Sequence, residues 1–265
     1  MTYRLTLFAL IMFFLPVLSK AQVDTVRFNN YYLKKYWIDT KKLVTSPVRW
    51  KKTDWQRAGV FSVVTGALLF TDKPINKWFQ KRRSTGLDKV VKYGFEPFDI
   101  EYTLAACGIL YGCGLIGKDR KLESTALLAV ESYSIASVFV QFSKKMIGRQ
   151  RPDSDGDVSP FHFDGPFHDE SFPSGHTTAV FSVATVIANQ YRETFWVPVT
   201  AYSVAGLVGL SRIYDDRHWF SDVFSGAVLG FAIGNMVCPV NKNSRLSVMP
   251  VKIGPACGVQ VACTL

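Results

Sequence analysis

At 265 residues the chain is long enough for one domain with a full core and too short for two large ones. A formal charge of +10 would suit nucleic acid, but the Lys and Arg are dispersed between long apolar segments and form no aromatic-interleaved basic stripe. Nucleic acid is therefore excluded as a partner in favour of anionic lipid or phosphate. Hydrophobic residues make up 48% and mean hydropathy is +0.10, too high for an ordinary soluble hydrolase and too low for a chain made only of membrane spans.

Residues 1–21 have the composition of a secretory signal peptide: Arg4 supplies positive charge, residues 5–18 an apolar run, and Ser19 and Ala21 small residues for cleavage. The alternative is an uncleaved anchor, against which Pro16 and the shortness of the run both count. Either way the machinery downstream is expected outside the cytoplasm, which in a bacterium is the periplasm or the periplasmic face of the membrane. Residues 22–102 comprise an N-terminal arm and a first helix. The arm, residues 22–54, is rich in Tyr, Trp, Lys and Asn without a sustained period, and is expected to be extended or partly helical. Residues 58–70 form the first apolar helix. A basic stretch follows through Lys73, Lys77, Lys81, Arg82 and Arg83 with Trp78 and Phe79 interleaved, either at a membrane interface or as a solvated helix face.

Five further apolar segments, residues 103–117, 125–142, 177–191, 197–213 and 222–238, make up most of a catalytic core at 103–240. Each is marginal as a transmembrane helix and acceptable as a buried one. No strand pattern of comparable length occurs there, so the fold class is all-α: a bundle of about six core helices with the active site at one end, standing in lipid or in water. Gly108 and Gly112, and the series Gly226, Gly230 and Gly234, place small residues four apart on helix faces and predict tight crossings, within the chain or between chains. The five cysteines have neither a disulfide framework nor zinc spacing and read as small hydrophobes. Residues 241–265 form a C-terminal tail with Pro250, Gly254, Pro255 and Gly258, suited to a short hairpin.

Lys118, Arg120 and Lys121, then Arg192, then Lys242 and Arg245 mark one side as cytoplasmic, leaving the segments after Phe142 and after Ile213 on the other. A cleaved signal with six crossing helices would put those segments in the cytoplasm instead. One element then cannot cross, and the shortest, 58–70, is expected to be interfacial; a soluble periplasmic bundle is the competing resolution.

The chemistry lies in three stretches. Pro173-Ser174-Gly175-His176 runs straight into an apolar helical segment, so a helix starts there. Its opening amides and positive dipole end at Ser174, Gly175 and His176 make a seat for a phosphate. Upstream, Lys144 is followed by six residues and then Arg151-Pro152. Pro152 stops simple helical continuation, so a compact cation and a planar fork can turn toward one point. Downstream, Ser211-Arg212 is followed by five residues, His218, three residues and Asp222. One helical turn would set the Asp222 carboxylate beside the imidazole, fixing its tautomer, with Arg212 as a third cation. The loop 153–172 holds His162 and His168 among several carboxylates, which reads as a lid more readily than as a metal site.

With these pieces in this order, K-x6-RP, PSGH and SR-x5-H-x3-D, the chain resembles the phosphatidic acid phosphatase type 2 superfamily, which also contains class A acid phosphatases and vanadium-dependent haloperoxidases. The resemblance implies that His218 attacks phosphorus to give a phosphohistidine, that Asp222 orients it, and that His176 protonates the leaving group. It implies further that Lys144, Arg151, Arg212, Ser174 and Gly175 hold the phosphoryl oxygens, with no metal and no cofactor. The function expected is hydrolysis of a lipid phosphate or pyrophosphate such as undecaprenyl pyrophosphate, phosphatidylglycerol phosphate, phosphatidic acid or a lipid A phosphate. A soluble periplasmic nonspecific acid phosphatase is the alternative, and a haloperoxidase using the same pocket the remote one.

Overall fold

The computed structural model describes residues 26–95, 98, 100–154, 156, 158–168, 170–238, 246–253 and 256–263; the expected signal segment 1–21 and the basic residues Lys242 and Arg245 lie outside them. The described chain is built of helices: α1 Asn30–Val44, α2 Lys52–Gln80, α3 Thr85–Val90, α4 Ile100–Gly117, α5 Arg120–Ile147, α6 Gly175–Gln190, α7 Trp196–Tyr214 and α8 Phe220–Val237. A 3-10 turn, Ser46–Arg49, links α1 to α2, and a π turn, Val91–Phe95, follows α3. An antiparallel hairpin of β1 Leu246–Ile253 and β2 Ala256–Cys263 pairs Leu246 with Cys263 at its open end and Ile253 with Ala256 at its turn.

The all-α expectation holds, and the helix limits have local causes. Asp119 caps α5 by accepting from the Lys121 and Leu122 amides at 3.0 and 3.1 Å. Gly148 stops α5 in the left-handed conformation, φ 59°, where a side chain would run into the Gly165 carbonyl. The core lies among α5, α6, α7 and α8, where Leu128, Ala136, Val180, Val183, Val186, Ala205 and Val208 are completely or almost completely buried.

The central helix is α6, and the seam that fixes it runs along α8. A Cβ added at Gly226 would stand 2.7 Å from the Ser174 carbonyl oxygen, one at Gly234 2.6 Å from that of Ser182, and one at Gly230 closer still to that of Thr178. Both helices advance four residues per contact in the same direction, so they are parallel and their backbones touch. Gly209 of α7 closes on Val223 and Thr177 from the other side. Gly108 and Gly112 differ from expectation: a Cβ added at either would meet nothing within 4 Å among the described residues beyond its own helix, and α4 instead meets α5 at Gly114, against Glu123 and Asp119.

Residues 58–70 are not a short element. They sit inside the 29-residue α2, about 43 Å long, which runs through Pro74 into the basic stretch. The N–H that Pro74 lacks would bond only the Phe70 carbonyl, so the turns on either side persist. With α5 and α8, α2 is one of three helices among the described residues that are long and apolar enough to cross a membrane; the apolar part of α4, Tyr102–Gly117, is shorter. The basis for demoting this segment is therefore gone. The arm is mostly helical: α1 is tied to the bundle by Tyr32 Oη donating to the Leu127 carbonyl at 2.9 Å and by Lys35 Nζ, 3.3 Å from Glu131. Exposed Trp37, Trp55, Phe195 and Trp196 lie toward that end, exposed Trp78, Phe161, Phe163 and Phe167 toward the other, and Val60, Val63, Val138 and Leu207 between, the order of residues across a bilayer.

The glycine seam predicts a sharp contrast between two substitutions. Gly230→Ala should lower the thermal unfolding midpoint through an overpacking cost of about 1–3 kcal/mol, whereas Gly108→Ala should leave the midpoint level or raise it. Equal effects in detergent-solubilised protein would contradict the parallel seam.

Candidate active site

The parallel pairing of α6 and α8 puts both their N-termini at one end of the bundle, and the antiparallel α5 and α7 bring their C-termini to the same place. Lys144 arrives on the last turn of α5, Arg212 on the last turn of α7, and both are buried. A Cβ at Gly175 would lie 3.9 Å from Lys144 Cε and 4.0 Å from its Nζ, so glycine lets the ammonium close on the start of α6. A pocket of about 220 Å³ opens there, lined by Tyr133, Ser137, Gln141 and Lys144 of α5 and by Gly175 and His176 of α6. Arg151, half-buried after α5, adds its charge to that of Lys144 at His218.

His218 is held in the α7–α8 connection by its amide, which donates to the Arg212 carbonyl at 3.3 Å. Its Nδ1 lies 3.6 Å from Asp222 Oδ2, the one-turn pairing expected from the spacing, which leaves Nε2 as the nitrogen turned from the carboxylate. Asp222 is itself fixed on every side. Oδ2 accepts from Ser171 Oγ at 2.6 Å and from the Trp219 amide at 3.0 Å, so the residue that faces the imidazole also caps α8. Burial above all, and then the charges of Lys144 and Arg151, push the His218 imidazole below its ordinary range against the pull of Asp222.

Ser174 sits differently from the expected seat. It is completely buried, its amide donates to the Asp222 carbonyl at 3.1 Å, and its hydroxyl lies 2.8 Å from that of Thr177. The amides that begin α6 without a carbonyl in their own helix start at Gly175, so an anion seat here would begin one residue later than expected, and Ser174 ties that helix end to Asp222. Arg212 lies 3.2 Å from Asp215, and Arg217 joins the loop after α5 through Asp153 at 2.9 Å. His162 pairs with Asp164 at 2.7 Å and His168 with the Pro166 carbonyl at 3.0 Å. Among the described residues no three His, Cys, Asp or Glu converge as a metal site; Asp155, Asp157 and Asp169 of that loop lie outside them.

Four residues at the site were not anticipated. Arg149, in the gap between Lys144 and Arg151, is completely buried and pairs with Asp222 and, at 2.7 Å, with Asp72 of α2. Ser171 and Ser221 complete the set with their hydroxyls. The available signal was an aspartate inside an apolar helix, which has to find a partner. Helix α2 also braces the connection that carries His218: Asn76 donates to Asp216 at 2.5 Å, and Gln80 to the Ile213 and Tyr214 carbonyls at 3.2 and 3.3 Å.

Residues 125–245 match the model of the PAP2 superfamily. Over 126 residues the chain is 32% identical to a lipid A 1-phosphatase of Porphyromonas gingivalis, covering 47% of this chain and 26% of that protein. Over 161 residues it is 30% identical to a probable diacylglycerol pyrophosphate phosphatase 1 of Schizosaccharomyces pombe, covering 49% of this chain and 58% of that one. The chain thus spans well under two thirds of both relatives. In fold it is similar to the crystal structure of a transmembrane PAP2 type phosphatidylglycerolphosphate phosphatase from Bacillus subtilis, with a TM-score of 0.50 over 78% of this chain and 93% of that chain at 21% identity.

The environment of His218 has a measurable consequence. A histidine with a depressed pKa stays neutral until the pH falls below its ordinary value of about 6.5. NMR titration of the histidine ring protons, with His218→Asn for assignment, should therefore place the His218 midpoint below that value. A midpoint above it would contradict the dominance of burial and the flanking cations.

Proposed function

We propose, from the match of residues 125–245 to the PAP2 superfamily, that the protein is a phosphatase of that family that hydrolyses a lipid phosphate or pyrophosphate through a phosphohistidine. One observation carries the proposal: Lys144, Arg151, Arg212 and the N-terminus of α6 gather beside a buried His218–Asp222 pair. Three cations and a helix end match the charge that builds on a phosphoryl group in transfer, and supply it without a metal.

In this mechanism Asp222 holds the Nδ1–H tautomer and the Nε2 lone pair attacks phosphorus. The bond from phosphorus to the leaving oxygen breaks, and His176, on the pocket wall, gives that oxygen its proton. Water then attacks the phosphohistidine, losing a proton to His176, and the P–N bond breaks to release phosphate and restore neutral His218. Gly175, Ser174 and the three cations hold and orient the phosphoryl group, Ser174 chiefly through its link to Asp222.

Two features favour a lipid substrate. The pocket follows α5 from Lys144 back to Tyr133, about 16 Å, which gives the first carbons of a lipid a track beside the bundle. The flanks of α2, α4, α5 and α7 expose Val60, Ile109, Val138 and Leu207. The similar proteins named for lipid A and diacylglycerol pyrophosphate support the same class. In this reading the protein belongs to the cell envelope, with the site on the extracytoplasmic face of the membrane.

The test is phosphate release from undecaprenyl pyrophosphate, phosphatidylglycerol phosphate, phosphatidic acid, a lipid A phosphate and a soluble ester. His218→Ala should lower turnover on the order of a thousandfold or more on every active substrate, and wild-type-like turnover by that variant would sink the mechanism. Active protein should stay with the membranes on detergent-free extraction; its release into the aqueous periplasmic fraction would favour a soluble acid phosphatase instead.

A further inference from the structure

Asp72 stands in the middle of the mechanism's supports although it belongs to α2, outside the residues that match the family. Its side chain is completely buried. Oδ1 accepts from the Ser221 amide at 2.8 Å, and Oδ2 accepts from Ser221 Oγ at 2.5 Å and from Arg149 Nη2 at 2.7 Å. Arg149 uses its whole fork in turn. Nε and Nη2 donate to the Pro160 carbonyl at 3.0 and 2.7 Å, and Nη1 donates to Ser221 Oγ at 2.8 Å and to Asp222 Oδ1. Those contacts engage all five of its N–H donors. A guanidinium is thus shared between two buried carboxylates, with the Ser221 hydroxyl bridging them.

The sharing matters for the reacting ring. With Asp72 present, Arg149 divides its charge between two anions, and the set of Asp72, Arg149 and Asp222 carries one net negative charge. Without Asp72, the full guanidinium charge falls on Asp222 and weakens its hold on the imidazole. The geometry acts in the same sense: Arg149 pins Oδ1 and so keeps Oδ2 for Ser171, Trp219 and His218.

We propose that Asp72 is a positioning residue for the reaction, fixing the Asp222 carboxylate through Arg149 and Ser221 and preserving the negative charge with which it orients His218. The proposal rests on the phosphatase reading, and it makes α2 part of the active unit.

The test is Asp72→Asn in the full chain, assayed with a soluble phosphomonoester and by titration of His218. The groups that face His218 are Asp222 from α8, Lys144 from α5 and Arg151 from the loop beyond it. Arg212 of α7 accepts its amide, and His176 of α6 shares the pocket wall with Lys144. None of these is altered by the substitution. The result expected is kcat lowered about tenfold to a hundredfold with KM unchanged, and the His218 titration displaced to lower pH. A wild-type kcat, a loss carried by KM, or an unmoved titration overturns the proposal.

Should Asp72→Asn not accumulate as folded protein, the same readings on Ser221→Ala decide. That change removes the bridge, leaves Arg149 Nη1 to Asp222 alone, and keeps every buried charge paired. A wild type without turnover on any phosphate would instead defeat the proposed function, and the titration, which needs no substrate, would then decide the positioning role by itself.

Discussion

Everything at the site depends on two helices lying parallel with their backbones in contact. Gly226, Gly230 and Gly234 let α8 press onto the carbonyls of Ser174, Thr178 and Ser182, and no residue with a Cβ could do so without parting them. Parallel helices in contact present two N-termini side by side, and an N-terminus is the end of a helix that favours an anion. The first is the proposed phosphate seat at Gly175, and the second carries His218 just ahead of it and Asp222 in its first turn. The Ser174 amide, donated to the Asp222 carbonyl, is the rivet between the two. In the proposed mechanism, loosening the seam would move His218 relative to the start of α6 before it disturbed either helix, which would tie three glycines far down α8 to the chemistry.

A second constraint is electrostatic. Lys144, Arg212 and half-buried Arg151 bring like charges to one end of the bundle, a costly arrangement unless something nearby is negative. Asp222 is the nearest carboxylate to the imidazole, but Arg149 already draws on it. Asp72 restores the balance from a helix that never touches the pocket. In the proposed mechanism this balance leaves the site cationic enough to hold a phosphate and acidic enough behind the imidazole to support the charge that a phosphorylated ring would carry.

What was legible in the sequence was local. Helix termini announced themselves through Pro173, Gly175 and Asp222, and the one-turn spacing of His218 and Asp222 gave their pairing. The four-residue spacing of Gly226, Gly230 and Gly234 gave the seam. What was hidden was pairing across long separations. Arg149 looked like filler between two more conspicuous cations, and nothing local ties it to Asp72, 77 residues away. Spacing alone also misled: Gly108 and Gly112 repeat the pattern of the seam but a Cβ at either would meet nothing among the described residues beyond its own helix, because a small-residue face needs a partner helix to become a crossing. The apolar run made α2 look short, because residues 58–70 are only its uncharged middle; the helix continues through Pro74 into the basic stretch, with α8 supporting it at Asp72.

That support also bears on how the chain sits in a membrane. α2 runs antiparallel against α8, with Thr65 Oγ1 3.3 Å from Ser225 Oγ and Phe61 stacked near Phe224, and with Asp72 farther along at Ser221. If α8 crosses the bilayer, α2 crosses beside it, and it can no longer be the element set aside to satisfy parity. With α2 and α4 to α8 all crossing, α1 and the site stand on opposite faces. The α1 end carries Lys34, Lys41, Lys42, Lys118, Arg120 and Arg192, and the site end carries Lys77, Lys81, Arg82, Arg83, Lys89 and Lys145, so positive charge is shared between the two faces and does not by itself choose the cytoplasmic one. A leader cleaved after Ala21 would deliver the arm to the outer face. In a bundle with all six of these helices crossing, an extracytoplasmic site and a cleaved leader therefore exclude one another.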